Sequence, residues 1–311
     1  MPRDQEVKTP GTVLAVGNNK GGVGKSTVVV GLAAAVARRG LRVLVVDMDP
    51  QANLSRRMGL RPTPGDPPIP TVSEAIRADR EGCAASAILP ARWEHPCGRL
   101  VDFLPSAFGL ENRVSEAGTL GALGRLSRAL RGVVEDYDLV LIDCPPSLGH
   151  LTQLALVAAD GVLIVAVPEY DAIEGAIRLR DFVERHAGDL GRPDLAVSGV
   201  VTNLVRGLTG LHAHHLDTIR EAFGDLCWEP VLQLRTALAE ANDAAVPIYA
   251  WPGPAAAALA AAFDELARRV APGGTDPAPP AGPRAVPNPL PHPAPPTPSP
   301  MPPADHQEPT R

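Results

Sequence analysis

One eight-residue segment near the amino terminus constrains this chain more than any other feature. Residues 20–27 read Lys-Gly-Gly-Val-Gly-Lys-Ser-Thr. The segment follows an apolar run at residues 13–16 and precedes a stretch of helical character at residues 28–39. A strand, a glycine-rich turn and a helix in this order form the setting of a phosphate-binding loop, or P-loop.

The residue types in this segment suit a nucleoside di- or triphosphate. Glycines let backbone amides turn inward because no Cβ stands in the way, and the following helix N-terminus adds further donors. Lys25 is placed to reach the β- and γ-phosphates, and Ser26 can offer its hydroxyl to Mg²⁺. The predicted nucleotide-binding residues of the loop are Lys20, Gly21, Gly22, Val23, Gly24, Lys25, Ser26 and Thr27.

Two further apolar runs end in acidic residues. Residues 42–46 lead into Asp47 and Asp49, and residues 139–142 lead into Asp143. Ligands of parallel sheets bind at the carboxyl ends of the strands, where an acid can hold Mg²⁺-bound water or polarise an attacking water. Such an acid can also cap the next helix. The neighbouring phosphate-binding loop favours the catalytic interpretation.

Alternating strand-like and helix-like segments predict one α/β domain over residues 11–270, with a mostly parallel twisted sheet flanked by helices. Strands are expected near residues 12–18, 42–47, 99–104, 138–143, 161–167 and 195–202. Helices are expected near residues 25–39, 71–79, 119–135, 149–159, 171–187, 210–223, 235–245 and 255–270.

The two ends of the chain differ from this body. Residues 271–311 are dominated by proline and have almost no large apolar residue, so burial cannot offset the entropy of ordering them. We expect a disordered tail there and a flexible N-terminus at residues 1–10. No signal peptide or membrane span is recognised, and the four cysteines are scattered, as in reduced cytoplasmic proteins.

The charge balance gives little support to strong DNA binding. The net charge is −6, so a DNA site would have to be a local patch on an acidic protein. Arg206, Arg220 and Arg235 are the candidates, although the composition favours a solvated surface arginine over a DNA contact at each position.

The extra lysine at position 20 carries a family resemblance. Lys-Gly-Gly-x-Gly-Lys-Ser/Thr resembles the deviant Walker A motif of the ParA/MinD family of P-loop ATPases. The resemblance extends to Asp-x-Asp-Pro-Gln at residues 47–51, to the strand that ends in Asp143, and to blocks at residues 104–106, 167–175 and 200–203. It covers roughly residues 11–270.

This resemblance implies roles for individual residues. Lys20 would reach across a dimer to the nucleotide of the partner, and Lys25 would act within its own subunit. Asp49 would orient the attacking water, and Asp47 and Asp143 would support Mg²⁺ indirectly. Asn203 would contact the adenine base. The ligands that the resemblance implies are therefore ATP, with its adenine base, and the Mg²⁺ ion that accompanies its phosphates.

The resemblance also implies a process. The ParA branch suggests an ATP-dependent homodimer that partitions plasmids or chromosomes, hydrolyses ATP slowly, and is stimulated by a ParB-like centromere-binding protein. One alternative is a MinD-like or cargo-positioning ATPase, although a proline-rich tail does not suit a membrane-binding helix. Others are a redox enzyme like the nitrogenase iron protein, with Cys144 as a cluster ligand, and a scaffold that uses nucleotide only as a dimer switch.

Overall fold

An eight-stranded sheet organises the computed structural model, which describes residues 11–63, 65–207 and 210–275. The strand order is β3-β4-β2-β5-β1-β6-β7-β8, and every pairing is parallel except β3 with β4. The strands are β1 Thr12–Gly17, β2 Val43–Asp47, β3 Leu89–Pro90, β4 Val101–Leu104, β5 Leu139–Asp143, β6 Gly161–Ala166, β7 Val197–Thr202 and β8 Cys227–Trp228.

Helices cover both faces of this sheet. Helices α1, α2, α8 and α9 pack on one face, and α3 to α7 pack on the other. Their bounds are α1 Lys25–Arg38, α2 Asn53–Arg57, α3 Val72–Ala78, α4 Arg125–Leu130, α5 His150–Ala158, α6 Tyr170–His186, α7 Gly210–Phe223, α8 Thr236–Asp243 and α9 Pro254–Val270. Among the described residues, no helix combines the length and apolar composition needed to cross a membrane.

The two faces explain why the central strands are apolar throughout. In β1, Leu14 and Val16 enter the core beneath α1 and α9, whereas Val13 and Ala15 enter the opposite core. Successive side chains of a strand point to opposite faces, and a parallel sheet is covered on both. An uninterrupted apolar run is therefore the expected pattern of a central strand here.

The six strands expected from the sequence are present, and the structure adds two. Strands β3 and β8 are only two residues long, too short to show any periodicity. The helix expected over residues 119–135 was wrong in extent, because only α4 is α-helical there and 3₁₀ turns flank it. Gly121 and Gly132 have φ values of 73° and 77°, which the α-helix cannot accommodate.

The first residues after α9, residues 271–275, pack against the end of α1. Arg39 is buried, and its guanidinium donates to the carbonyl oxygens of Ala267, Ala271 and Pro272. The backbone N–H of Thr275 donates to the Arg39 carbonyl at 3.1 Å. Residues 271–275, which the sequence assigns to the tail, thus hold the end of α1. The rest of the predicted tail and the predicted flexible N-terminus lie outside the described residues.

Removing residues 276–311 should leave the melting temperature within about 1 °C and basal turnover unchanged, because the carbonyls around Arg39 remain. Truncation after Val270 removes two of those carbonyls and should cost about 1–3 kcal/mol of unfolding free energy. Thermal and urea unfolding of the two truncated chains measure the difference. A large drop for the shorter deletion would show that the removed tail docks on the domain.

Candidate nucleotide-binding site

The glycine-rich loop lies between the carboxyl end of β1 and the start of α1. Gly22 and Gly24 have φ values of 82° and 85°, in the left-handed region that favours glycine. Gly24 is also the N-cap residue of α1, and a Cβ at this position would lie 2.3 Å from Asn203 Nδ2. Both its backbone conformation and its packing therefore require glycine at position 24.

Two asparagine side chains form hydrogen bonds with the backbone of the loop. Asn203 is almost fully buried after β7, and its Nδ2 donates to the Val23 carbonyl at 2.9 Å. Asn18 donates to the Val165 carbonyl at 2.8 Å and accepts the Lys20 backbone N–H at 2.8 Å. The observed contact of Asn203 is thus with the loop, and its contact with adenine stays a prediction. Sequence reasoning missed Asn18, although a polar residue directly after an apolar strand was visible.

The two lysines of the motif occupy different environments. Lys25 is buried, and its Nζ donates to the Lys20 carbonyl at 3.3 Å. Burial lowers the pKa of Lys25, opposed by the negative charges of Asp143 and Asp49. Lys20 lies at the surface, where its Nζ pairs with Asp171 Oδ2 at 3.0 Å and its side chain is 47% exposed. One lysine faces its own loop, and the other is accessible from outside.

Asp47 is buried at the end of β2 and organises the segment that follows. Its carboxylate accepts the backbone N–H and hydroxyl of Ser55 at 2.9 and 2.7 Å, and the Asp49 N–H at 3.1 Å. Burial raises the pKa of Asp47 to about 6, although the bonds from Ser55 and Asp49 oppose the rise. Asp49 itself is partly exposed and accepts the Gln51 N–H at 2.9 Å.

Asp143 pairs with Asp47 in the register of β2 and β5, and it is equally buried. Neither of its carboxylate oxygens has a hydrogen-bond partner among the described residues. Burial raises the pKa of Asp143 to about 7, the charge of Asp47 adds to the rise, and Ser26 and Lys25 oppose it. The Ser26 hydroxyl is near enough to affect the Asp143 pKa but forms no hydrogen bond of ordinary geometry with the carboxylate, and this buried pair of oxygen ligands fits a hard divalent cation.

The described residues contain no group of three or more histidine, cysteine or acidic side chains that could hold a metal ion alone. Magnesium commonly binds through one or two protein groups together with water and substrate phosphates. Ser26 and Asp143 therefore fit a magnesium ion that arrives with a nucleotide, and Asp47, whose oxygens already accept bonds from Ser55 and Asp49, fits an indirect supporting role.

Replacing Asp143 with asparagine should stabilise the ligand-free protein at pH 8 by about 1–3 kcal/mol, because a buried charge is removed. Between about pH 4 and about pH 7, the raised pKa keeps this carboxyl protonated in the folded state while it is ionised in the unfolded state, and at pH 8 it is ionised in both states. Its contribution to stability therefore falls as pH rises from about 4 to about 7.

The stabilisation by Asp143→Asn should accordingly be smaller at pH 5.5 than at pH 8. Thermal unfolding of wild type and variant at both pH values, without nucleotide or Mg²⁺, measures this difference. Equal gains at both pH values, or a loss at pH 8, would contradict the prediction. Calorimetry should show weaker Mg²⁺-dependent nucleotide binding in the variant.

The remaining candidate residues are three surface arginines and one buried cysteine. Arg206 and Arg235 are exposed, whereas Arg220 pairs with the carboxylates of Asp217 and Glu229 at 3.3 and 3.6 Å. Cys144 is buried with its thiol toward the Ile142 carbonyl, and burial raises its pKa. A buried protonated thiol does not suit a cluster ligand, so the redox alternative loses its main residue.

These features together define a P-loop ATPase. The mostly parallel sheet has a glycine-rich loop after its first strand, the loop has a buried lysine, and acidic residues follow two neighbouring strands. Residues 11–195 match the AAA domain family. The chain is 33% identical over 240 residues to the chromosome partitioning protein ParA of Myxococcus xanthus, covering 77% of this chain and 81% of that protein.

Two solved structures share the fold. An ATP complex of a McdA variant from Cyanothece has a TM-score of 0.72 at 22% identity, covering 84% of this chain and 96% of that one. The septum site-determining protein MinD of Pyrococcus horikoshii, complexed with Mg-ADP, has a TM-score of 0.61 at 23% identity. The match covers 83% of this chain and 95% of that one. The chain belongs to the ParA/MinD family of P-loop ATPases, as the sequence resemblance predicted.

Proposed function

We propose that this chain is a Mg²⁺-dependent ATPase that dimerises on ATP and partitions plasmid or chromosomal DNA. The contrast between its two motif lysines carries the proposal. Lys25 is buried over its own loop, whereas Lys20 is exposed and its ammonium group pairs with the exposed carboxylate of Asp171. An exposed ion pair contributes little, so Lys20 can exchange Asp171 for a phosphate of the partner subunit at small cost.

Each residue of the site has a role in this proposal. The loop amides and Lys25 bind the phosphates. Ser26, with Asp47 and Asp143 behind it, would hold Mg²⁺, which would supply positive charge beside the phosphates. Asp49 orients the attacking water, and its backbone N–H is fixed by Asp47. Lys20 supplies positive charge to the transition state of the neighbouring subunit.

The partners in this proposal are a second copy of the chain, a ParB-like centromere-binding protein that stimulates turnover, and nonspecific DNA. Arg206, Arg220 and Arg235 are the candidate DNA contacts, and the location is the cytoplasm, on the nucleoid where DNA binding holds. Arg220 would have to leave two carboxylates, which lowers the expected affinity. The pairing of Arg220 with two carboxylates and the net charge of −6 both weaken attraction to DNA. They favour a second candidate function, in which the same ATPase cycle positions a protein cargo.

Turnover and binding assays on the full-length protein separate these functions. Slow Mg²⁺-dependent release of phosphate from ATP is expected, together with ATP-dependent dimers in light scattering. Plasmid DNA at low salt should bind the ATP-bound protein, and replacing Arg206 and Arg235 together with glutamine should weaken that binding. Turnover without any DNA binding would favour the cargo function, and the absence of ATP turnover under all these conditions would contradict an ATPase.

A further inference from the structure

Helix α2 contacts both Asp47, at the end of β2, and the last residue of the P-loop. Asp47 accepts two hydrogen bonds from Ser55, near the middle of this five-residue helix. Arg57, its last residue, reaches the other way, and its Nη1 donates to Thr27 Oγ1 at 2.9 Å. Thr27 directly follows Ser26, the predicted Mg²⁺ ligand. A single short helix therefore connects the end of β2 to the last hydroxyl of the P-loop.

The contact between Arg57 and Thr27 lies partly inside the protein and is surrounded by other hydrogen bonds. Its side chain is half-buried, and burial lowers its pKa while the nearby carboxylate of Asp143 opposes that shift. Its carbonyl accepts the indole N–H of Trp93 at 2.9 Å. The hydroxyl of Thr27 receives a second donor from Asn242 Nδ2 of α8, at 3.4 Å. Two helices, α2 and α8, thus each place a donor on this one hydroxyl of α1.

The adjacent arginine offers a contrast within the same helix. Arg56 is exposed, and its guanidinium donates to Asn53 Oδ1 at 2.6 Å, one helical turn away. Placing a guanidinium partly out of water has a desolvation cost that an exposed arginine avoids. Arg56 and Arg57 therefore differ in burial and in hydrogen-bond partner, and a need for surface charge alone does not explain the half-buried position of Arg57. The motif residues of the sequence do not include Arg57.

We propose that Arg57 is a positioning residue for ATP hydrolysis. Through Thr27 it fixes the P-loop, which carries Ser26, relative to the loop that carries Asp49. A displacement of about 1 Å between reacting groups can cost up to about 10²-fold in rate. The affinity for ATP depends mainly on Lys25 and the loop amides, so it should change little. This inference rests on the proposed ATPase function.

A double-mutant cycle on the full-length protein tests the contact. The four proteins are wild type, Arg57→Met, Thr27→Val and the double variant, and Arg56→Met is the matched control. Each single variant should lower kcat about 10-fold. Arg57→Met should keep the KM and the calorimetric Kd for ATP within about 2-fold of wild type, whereas Thr27 is itself a predicted nucleotide-binding residue, so Thr27→Val is compared by kcat alone. The double variant should be no slower than either single variant by more than about 2-fold, because both remove one contact. Arg56→Met should match wild type.

Several results would overturn the inference. Multiplicative losses in the double variant would mean that Arg57 and Thr27 act separately. Weaker ATP binding at unchanged kcat would make Arg57 a ligand of the nucleotide. A lower melting temperature with unchanged kcat in the folded protein would make it only a structural anchor. Should Arg57→Met fail to fold, Arg57→Gln, which keeps a polar end, replaces it in the same cycle.

The cycle also distinguishes this inference from the proposed function. If wild type and Arg56→Met both lack turnover, the ATPase proposal fails. If both hydrolyse ATP and Arg57→Met does so at the same rate, only the positioning role fails.

Discussion

Replacing Lys25 with alanine should remove most of the affinity for ATP. Its ammonium group is buried, with its Nζ directed at the loop carbonyl of Lys20, whereas the Lys20 side chain lies at the surface. Truncating one partner of a buried charge pair typically costs about 2–5 kcal/mol, or roughly 30- to 4,000-fold in Kd. Isothermal calorimetry with Mg²⁺-ATP measures the loss.

Lys20→Ala is the control for this measurement, since it removes the same side chain from the exposed rim of the same loop. We expect it to bind ATP nearly as wild type does, because the backbone cradle and Lys25 remain. Wild-type affinity in Lys25→Ala would show that the P-loop assignment is wrong. Thermal unfolding without nucleotide establishes that both variants are folded.

Lys20→Ala and Asp49→Ala should each abolish turnover, but for different reasons. Lys20→Ala removes positive charge from the transition state of the neighbouring subunit and leaves binding intact. Asp49→Ala keeps both lysines and loses only the acid that orients water, so ATP-bound dimers should accumulate. Removing such charge stabilisation costs about 10²- to 10³-fold in kcat. Size-exclusion chromatography with light scattering, in ATP and Mg²⁺, distinguishes the two variants.

Mixing the two inactive variants before adding ATP tests whether Lys20 acts across the dimer. In a mixed dimer, the subunit with an intact Asp49 receives its lysine from the Asp49→Ala partner, so one of the two sites is complete. With random pairing in equal amounts, turnover should recover to at most about a quarter of wild type. If the mixture stays inactive while mixed dimers demonstrably form, Lys20 acts only within its own subunit.

Local features of the sequence predicted much of this protein. The P-loop is contiguous, and its chemistry follows from glycine conformations, one lysine and one hydroxyl within eight residues. The central strands were recognisable because a strand covered on both faces must be apolar throughout. The placement of Asp47 and Asp143 at the same edge of the sheet followed from the same pattern, since parallel strands end at one edge. That their two strands are neighbours was decided by the strand order of the folded sheet.

Contacts between distant segments were decided only by the tertiary structure. Asn203 lies 180 residues from the carbonyl it holds, Lys20 pairs with an acid 151 residues away, and Arg57 reaches a hydroxyl 30 residues back. No periodicity reports such pairs, because hydrophobic patterning records only which face of an element is buried. The direction of a polar side chain depends on which elements the sheet order makes neighbours. The sequence therefore determined the chemistry of the loop, and the packing around the sheet determined which side chains hold it in place.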